Sequence, residues 1–180
     1  MPYSSDVFDD YVSKLLIKWR FFSYLDIGIG AGKYGKMIKS LNEGANVTGI
    51  ELVPEYIEKF NLHLFYNVII QDDVSSIIYG NQNTTYDVVI MGDVIEHLTK
   101  SDGVNLIHFL IYRCKKIIIT FPEKYIQYEV GAKKSESHRS VWGAEDFRRF
   151  NFKHKRIGYM HLFIINGFLN DKRSIIKPNG

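Results

Sequence analysis

The stretch Tyr24-Leu25-Asp26-Ile27-Gly28-Ile29-Gly30-Ala31-Gly32-Lys33-Tyr34-Gly35 constrains this chain most. An apolar run ends in an acid, glycines follow at alternate positions, and a helix-compatible segment, Gly35 to Leu41, comes next. Strand, glycine turn and helix together bring backbone N–H groups and a helix N-terminus up to a ligand. Glycine suits such a turn because the chain bends sharply and a Cβ would hold the ligand away. Glycine costs ~0.5–1 kcal/mol wherever its freedom is unused, so a ligand-free turn is the weaker reading.

Three ligand classes compete for this turn. Gly30-x-Gly32-x-x-Gly35 satisfies the dinucleotide fingerprint. Gly30 to Gly35-Lys36 satisfies most of a phosphate-binding P-loop, but Met37 stands where that loop needs a Ser or Thr hydroxyl for Mg²⁺. Asp26-x-Gly28-x-Gly30-x-Gly32 resembles the first motif of class I S-adenosylmethionine (SAM) methyltransferases. Asp26 favours the third reading, since an uncompensated carboxylate repels a pyrophosphate, whereas SAM carries an ammonium and a sulfonium.

Around this turn the sequence alternates strands and helices. Asp6 to Trp19 reads as an amphipathic helix capped by Ser5 or Asp6, with Val7, Tyr11, Leu15 and Leu16 at helical spacing. Strands are expected at Phe22–Ile27, Val47–Ile50, Val68–Ile70, Tyr86–Met91 and Lys116–Thr120. Helices are expected at Pro54–Phe60, Asp102–Tyr112 and Glu145–Phe150, and closing strands at Phe152–Tyr159 and Leu162–Phe168. The long polar stretch Glu123 to Gly143 reads as a mobile acceptor loop, and 169–180 as a frayed tail.

The expected fold is α/β, a doubly wound, mostly parallel seven-stranded sheet with an antiparallel closing strand. A length of 180 residues suits one domain, 1–180, opened by an N-terminal helix within 1–20. With 46% hydrophobic and 24% charged residues the chain is globular, and a net charge of +3 does not by itself argue for nucleic acid. Cys114, the single cysteine, excludes an intrachain disulfide and any multi-cysteine zinc site. No apolar run approaches the ~20 residues of a membrane span, so a cytoplasmic location is expected.

Acids follow the first four strands: Asp26, Glu51, Asp72/Asp73 and Asp93. Adjacent carboxylates repel, so a ligand with donors or positive charge is expected between them. Glu51 is placed to accept both hydroxyls of a ribose at the second strand's end.

From Phe22 to Phe152 the chain resembles a class I SAM-dependent methyltransferase of Rossmann-like fold. The resemblance rests on Leu25-Asp26-Ile27-Gly28-Ile29-Gly30-Ala31-Gly32, Gly49-Ile50-Glu51, Asp72-Asp73-Val74 and Tyr86-Asp87-Val88-Val89. It implies SAM as cofactor, with Gly28, Gly30 and Gly32 at the methionine part, Glu51 at the ribose, and Asp26, Gly92 and Asp93 also among the cofactor-binding residues. Asp72 or Asp73 would meet the adenine amino group and Val74 its ring.

Gly92-Asp93-Val94-Ile95-Glu96-His97-Leu98 resembles the Asp/Glu-x-x-Glu-His segment of ubiquinone-pathway O-methyltransferases and small-RNA 2′-O-methyltransferases. The segment Ser137 to Phe147 resembles their His…Trp…acid-x-Phe stretch. The resemblance implies Asp93, Glu96, His97 and His138 as ligands of Mg²⁺ or Mn²⁺, or Asp93, His97 and His138 as catalytic groups without metal. Packing and helix capping are the competing roles for Glu96 and His97. Trp142 reads as a packing anchor. Arg148, Arg149, Lys153, Lys155 and Arg156 form a local basic cluster, read first as a solvated face.

The function expected is methyl transfer from SAM to an oxygen of a small-molecule acceptor, with an RNA end as the second acceptor class. A P-loop-like nucleotide-binding protein, with Lys36 on phosphate and Asp93 on Mg²⁺, and a SAM-binding protein without turnover are the alternatives.

Overall fold

The computed structural model describes residues 3–74, 83–123 and 137–169. Seven strands form one sheet in the order β3-β2-β1-β4-β5-β7-β6. They are β1 Ser23–Ile27, β2 Asn46–Glu51, β3 Val68–Gln71, β4 Tyr86–Gly92, β5 Cys114–Pro122, β6 Phe152–Ile157 and β7 Met160–Asn166. β1 to β5 run parallel, while β7 lies antiparallel between β5 and β6. The antiparallel closing element is thus inserted before the last position, and β6 at the edge again runs in the direction of β5.

Four helices belong to the described residues: α1 Asp9–Trp19, α2 Lys33–Leu41, α3 Pro54–Lys59 and α4 Lys100–Ile111. α1 and α2 pack against the sheet face carrying Tyr24, Val47, Val88, Ile90, Ile118 and Ile164. α4 covers the opposite face, where Leu25, Ile27, Val89, Met91, Ile117 and Ile119 meet Leu106, Ile107 and Leu110. β4 and β5 are buried on both faces, which is why they read as continuous apolar runs.

Several boundaries differ from expectation for local reasons. α1 starts at Asp9 without a side-chain cap, and Asp6 supplies a backbone carbonyl to Asp9 N. α2 begins at Lys33 rather than Gly35, directly from the left-handed Gly32. α4 begins at Lys100, capped by the Thr99 hydroxyl, which accepts from Asp102 N at 3.2 Å. The helix expected at Glu145–Phe150 is only a 3₁₀ turn, Ala144–Phe147, closed by Gly143 N donating to Asp146 Oδ2. Phe147 anchors that turn by stacking 4.1 Å from Phe163. The greater part of the expected acceptor loop and the tail from 170 lie outside the described residues. No described helix is long and apolar enough to cross a membrane.

Candidate cofactor and acceptor site

The strand order reverses between β1 and β4, and a cleft opens there at the strand ends, where open α/β sheets bind ligands. Gly28, Gly30, Glu51, Asp72, Asp73, Val74, Asp93, His97 and Arg139 line it. Gly28 has φ +71° and lies so near Val94 that a Cβ would come within 2.5 Å of its methyl group.

Glu51 ties the cleft floor together. Its carboxylate accepts Gly30 N at 2.8 Å and Val53 N at 2.8 Å, although the residue is only 6% exposed. These bonds, one to each carboxylate oxygen, fix the group at the cleft wall.

Asp26, Gly32 and Gly92 do not line the cleft. Asp26 is buried behind the glycine turn, where Tyr66 Oη donates to Oδ2 at 2.6 Å and itself accepts Gly35 N at 3.1 Å. Burial raises its pKa to about 7; the Tyr66 bond lowers it, and the Glu51 charge raises it further. Asp26 is therefore a scaffold group, and its charge does not select against pyrophosphate as the sequence argument supposed. Gly35 is explained by the same tyrosine, since a Cβ there would lie 2.4 Å from the Tyr66 ring. Gly92 is buried beside the Tyr34 ring, and its carbonyl accepts from Ser4 Oγ at 3.1 Å.

Tyr66→Phe should strip Asp26 of its donor and leave Gly35 N without an acceptor. We expect a loss of about 2–4 kcal/mol in unfolding free energy, read by urea denaturation. A loss below about 0.5 kcal/mol would show that the buried bonds do not hold the turn.

Lys36, which a P-loop would aim at phosphate, donates instead to its own loop at Ala31 O, 2.8 Å away, and sits 5.3 Å from the Phe65 ring centroid. With the missing hydroxyl at position 37, this removes the lysine from the P-loop reading. Among the described lining residues, the Lys and Arg side chains reduce to Arg139.

Asp93 adopts φ +56° at the end of β4 and lines the cleft. Its Oδ2 accepts Ser5 N at 2.8 Å, and Lys33 Nζ binds Ser5 O at 2.7 Å. Desolvation raises the pKa of Asp93, against the lowering effect of its bond from Ser5. The segment before α1 therefore reaches the cleft edge. Two consecutive serines gave no sequence signal for this.

A 3₁₀ turn, Ile95–His97, follows. Glu96 O accepts Arg139 N at 2.7 Å and Ser140 N at 3.1 Å, which clips the stretch after 137 onto this turn. Trp142 secures the clip, donating from Nε1 to Ile95 O at 3.1 Å while buried under α4. Glu96, His97 and His138 each offer a ligand atom, all within 4.8 Å of one another; Asp93 is not part of that group.

The Glu96 side chain is 2% exposed and its Oε2 has no hydrogen-bond partner among the described residues. Burial, reinforced by the Asp93 charge, pushes its pKa well above the usual carboxyl range. His97 Nδ1 lies 3.2 Å from Ser137 O. A carbonyl only accepts, so this bond places a proton on Nδ1. The His97 and His138 rings meet edge to face, with centroids 4.9 Å apart.

A family model described as a methyltransferase domain matches residues 25–108. No curated protein matches the chain. Solved structures share the fold: an O-methyltransferase family protein from Burkholderia thailandensis aligns at 15% identity with a TM-score of 0.64, over 88% of this chain and 54% of its own. The methyltransferase domain of bacterial CtHen1 aligns at 16% identity and TM-score 0.66, over 87% of this chain and 95% of that one. Magnesium protoporphyrin IX methyltransferase from Synechocystis PCC 6803, with bound S-adenosylhomocysteine (SAH), aligns at 16% identity and TM-score 0.60, over 88% and 81%. The chain spans about half the length of the Burkholderia protein.

Sheet order and cleft position define a Rossmann-like methyltransferase fold. The methyltransferase-domain model matches this fold from β1 into α4, residues 25–108, and the solved structures share its architecture.

Proposed function

We propose that this domain transfers the SAM methyl group to an oxygen nucleophile, a hydroxyl seated beside Glu96, His97 and His138. The observation carrying this reading is the group itself. The buried Glu96 carboxyl, whose Oε2 has no hydrogen-bond partner among the described residues, converges with the His97 and His138 imidazoles beside the cleft. In the reaction the acceptor oxygen attacks the methyl carbon, the C–S bond breaks with its electron pair passing to sulfur, and SAH leaves. The hydroxyl proton passes to an imidazole nitrogen of the pair. Gly28, Gly30 and Glu51 hold the cofactor, with Asp72 or Asp73 and Val74 at its adenine. The domain thereby supplies alignment and water exclusion, while the cofactor supplies the leaving group.

A divalent cation fits the same residues. Glu96 Oε2, unpartnered among the described residues, suits ligation, and Glu96, His97 and His138 would hold the ion, with Asp93 outside the group. Two imidazoles with one carboxylate favour Mn²⁺ over Mg²⁺. Such an ion supplies a lowered hydroxyl pKa.

A small hydroxylated molecule is the acceptor class this reading takes first. The terminal ribose of an RNA is the second, and the basic face described below favours it. The test is transfer of labelled methyl from SAM to phenol, catechol, sugar and oligoribonucleotide acceptors. An alkali-stable ether product is the expected outcome; methyl found only on nitrogen, sulfur or carbon would overturn the oxygen-directed reading.

A further inference from the structure

The basic run Arg148 to Arg156 does not survive folding as one patch. Arg148 pairs with Glu145 at 2.5 Å, and Arg156 with Glu123 at 2.6 Å. Lys153 and Lys155 instead point to the α1 side of the sheet, where Lys155 Nζ lies 4.4 Å from the Tyr11 ring centroid. Lys116 of β5 joins them, 6.0 Å from the Trp19 ring centroid. Lys14 and Lys18 follow Tyr11 at helical i+3 and i+7 positions and are exposed. None of these lysines pairs with a carboxylate among the described residues.

Strand register orders the strip. Lys116 is level with Val88, Lys153 with Ile90 through Ile164 and Ile118, and Lys155 with Gly92 through Leu162 and Thr120. Ammonium groups thus climb the sheet in steps of roughly 7 Å and end level with the last residue of β4, at the height of the cleft. The like charge of Lys153 helps lower the pKa of Lys116, after desolvation, so the cations are held close at a cost. The acids, by contrast, gather at the cleft: Glu51, Asp72, Asp73 and Asp93 line it, although the chain carries a net +3.

We propose that this face binds the phosphate backbone of a nucleic acid strand. Lysine is a mobile point charge suited to phosphate contact without base reading. A membrane surface fits less well, since it requires an apolar anchor in the plane of the charges. Here the Tyr11 and Trp19 rings are half-buried beneath the ammonium groups.

The test is fluorescence anisotropy of a labelled oligouridylate with the full chain at several salt concentrations. With about five phosphate contacts, log affinity against log salt should have a slope near −3.5, a loss of roughly 100-fold between about 50 and 200 mM. Lys153→Gln with Lys155→Gln should lower that slope to about −2 and weaken low-salt binding about tenfold or more. Melting temperature and SAH affinity should stay unchanged. No binding at low salt, or binding that the double variant leaves intact, overturns the proposal. Capture by vesicles of anionic lipid without oligonucleotide binding also overturns it. A chain that binds the oligonucleotide but not SAH leaves this inference standing and removes the cofactor reading instead.

Discussion

Glu51→Ala is expected to weaken binding of SAM and SAH by roughly ten- to a few-hundredfold, since each charge-assisted hydrogen bond lost is worth about 1.5–3 kcal/mol. The carboxylate acts twice in this account. In the proposed site it would accept the ribose hydroxyls, and it already accepts Gly30 N and Val53 N at 2.8 Å each. Truncation therefore also frees a glycine turn whose geometry the cofactor needs, and the ligand-free protein should melt earlier as well. Glu51→Gln separates the two roles, because an amide keeps one acceptor oxygen and loses the charge. It should fall between wild type and Ala in affinity. Calorimetric titration with SAH measures all three, and an unchanged affinity in Glu51→Ala would remove Glu51 from the cofactor site.

Glu96→Gln and His97→Ala are expected to lower turnover by about 10²–10⁴-fold, the span associated with a lost acid–base or orienting group. Affinity for SAH should stay nearly unchanged. The split follows from geometry, because both residues converge with His138, while the side-chain bond to Gly30 N in the glycine turn comes from Glu51. Burial of an unpartnered carboxylate is expensive and is retained here without a structural partner for Oε2 among the described residues. If a cation occupies the group, chelator should reproduce the variants and Mn²⁺ should restore wild type alone. If the imidazoles act without metal, chelator should do nothing while both substitutions still cost turnover. Full activity in both variants would return Glu96 and His97 to a packing role.

Which residues line the cleft was largely legible in the sequence, because its elements are local. The glycine turn, the acid ending β2 and the pair after β3 each lie within a few residues of a readable strand end, and the structure brings Glu51, Asp72 and Asp73 to one cleft. Asp26 was misassigned for an equally physical reason. Its partner, Tyr66, lies forty residues away in an apolar stretch with no motif, so nothing local distinguishes a buried scaffold acid from a ligand-facing one. Gly35 looked like part of a dinucleotide fingerprint and instead makes room for that tyrosine.

Long-range assembly hid the rest. The contact of Ser5 with Asp93 joins residues eighty-eight apart. The lysine strip comes from α1, β5 and β6, and only the register of β5, β7 and β6 aligns it. The 3₁₀ turn at Ala144–Phe147 was read as a helix because its apolar anchor, Phe147, fits either period over so few residues.

The cleft between β1 and β4 is proposed to take SAM and not a nucleotide phosphate. Side-by-side calorimetry of the wild-type chain with SAM, SAH, ATP–Mg²⁺ and NAD tests it most directly. Saturable binding of SAM and SAH, abolished or weakened by Glu51→Ala, is expected, with little or no heat from ATP or NAD. Tight ATP binding, with SAM and SAH failing to bind, would contradict it.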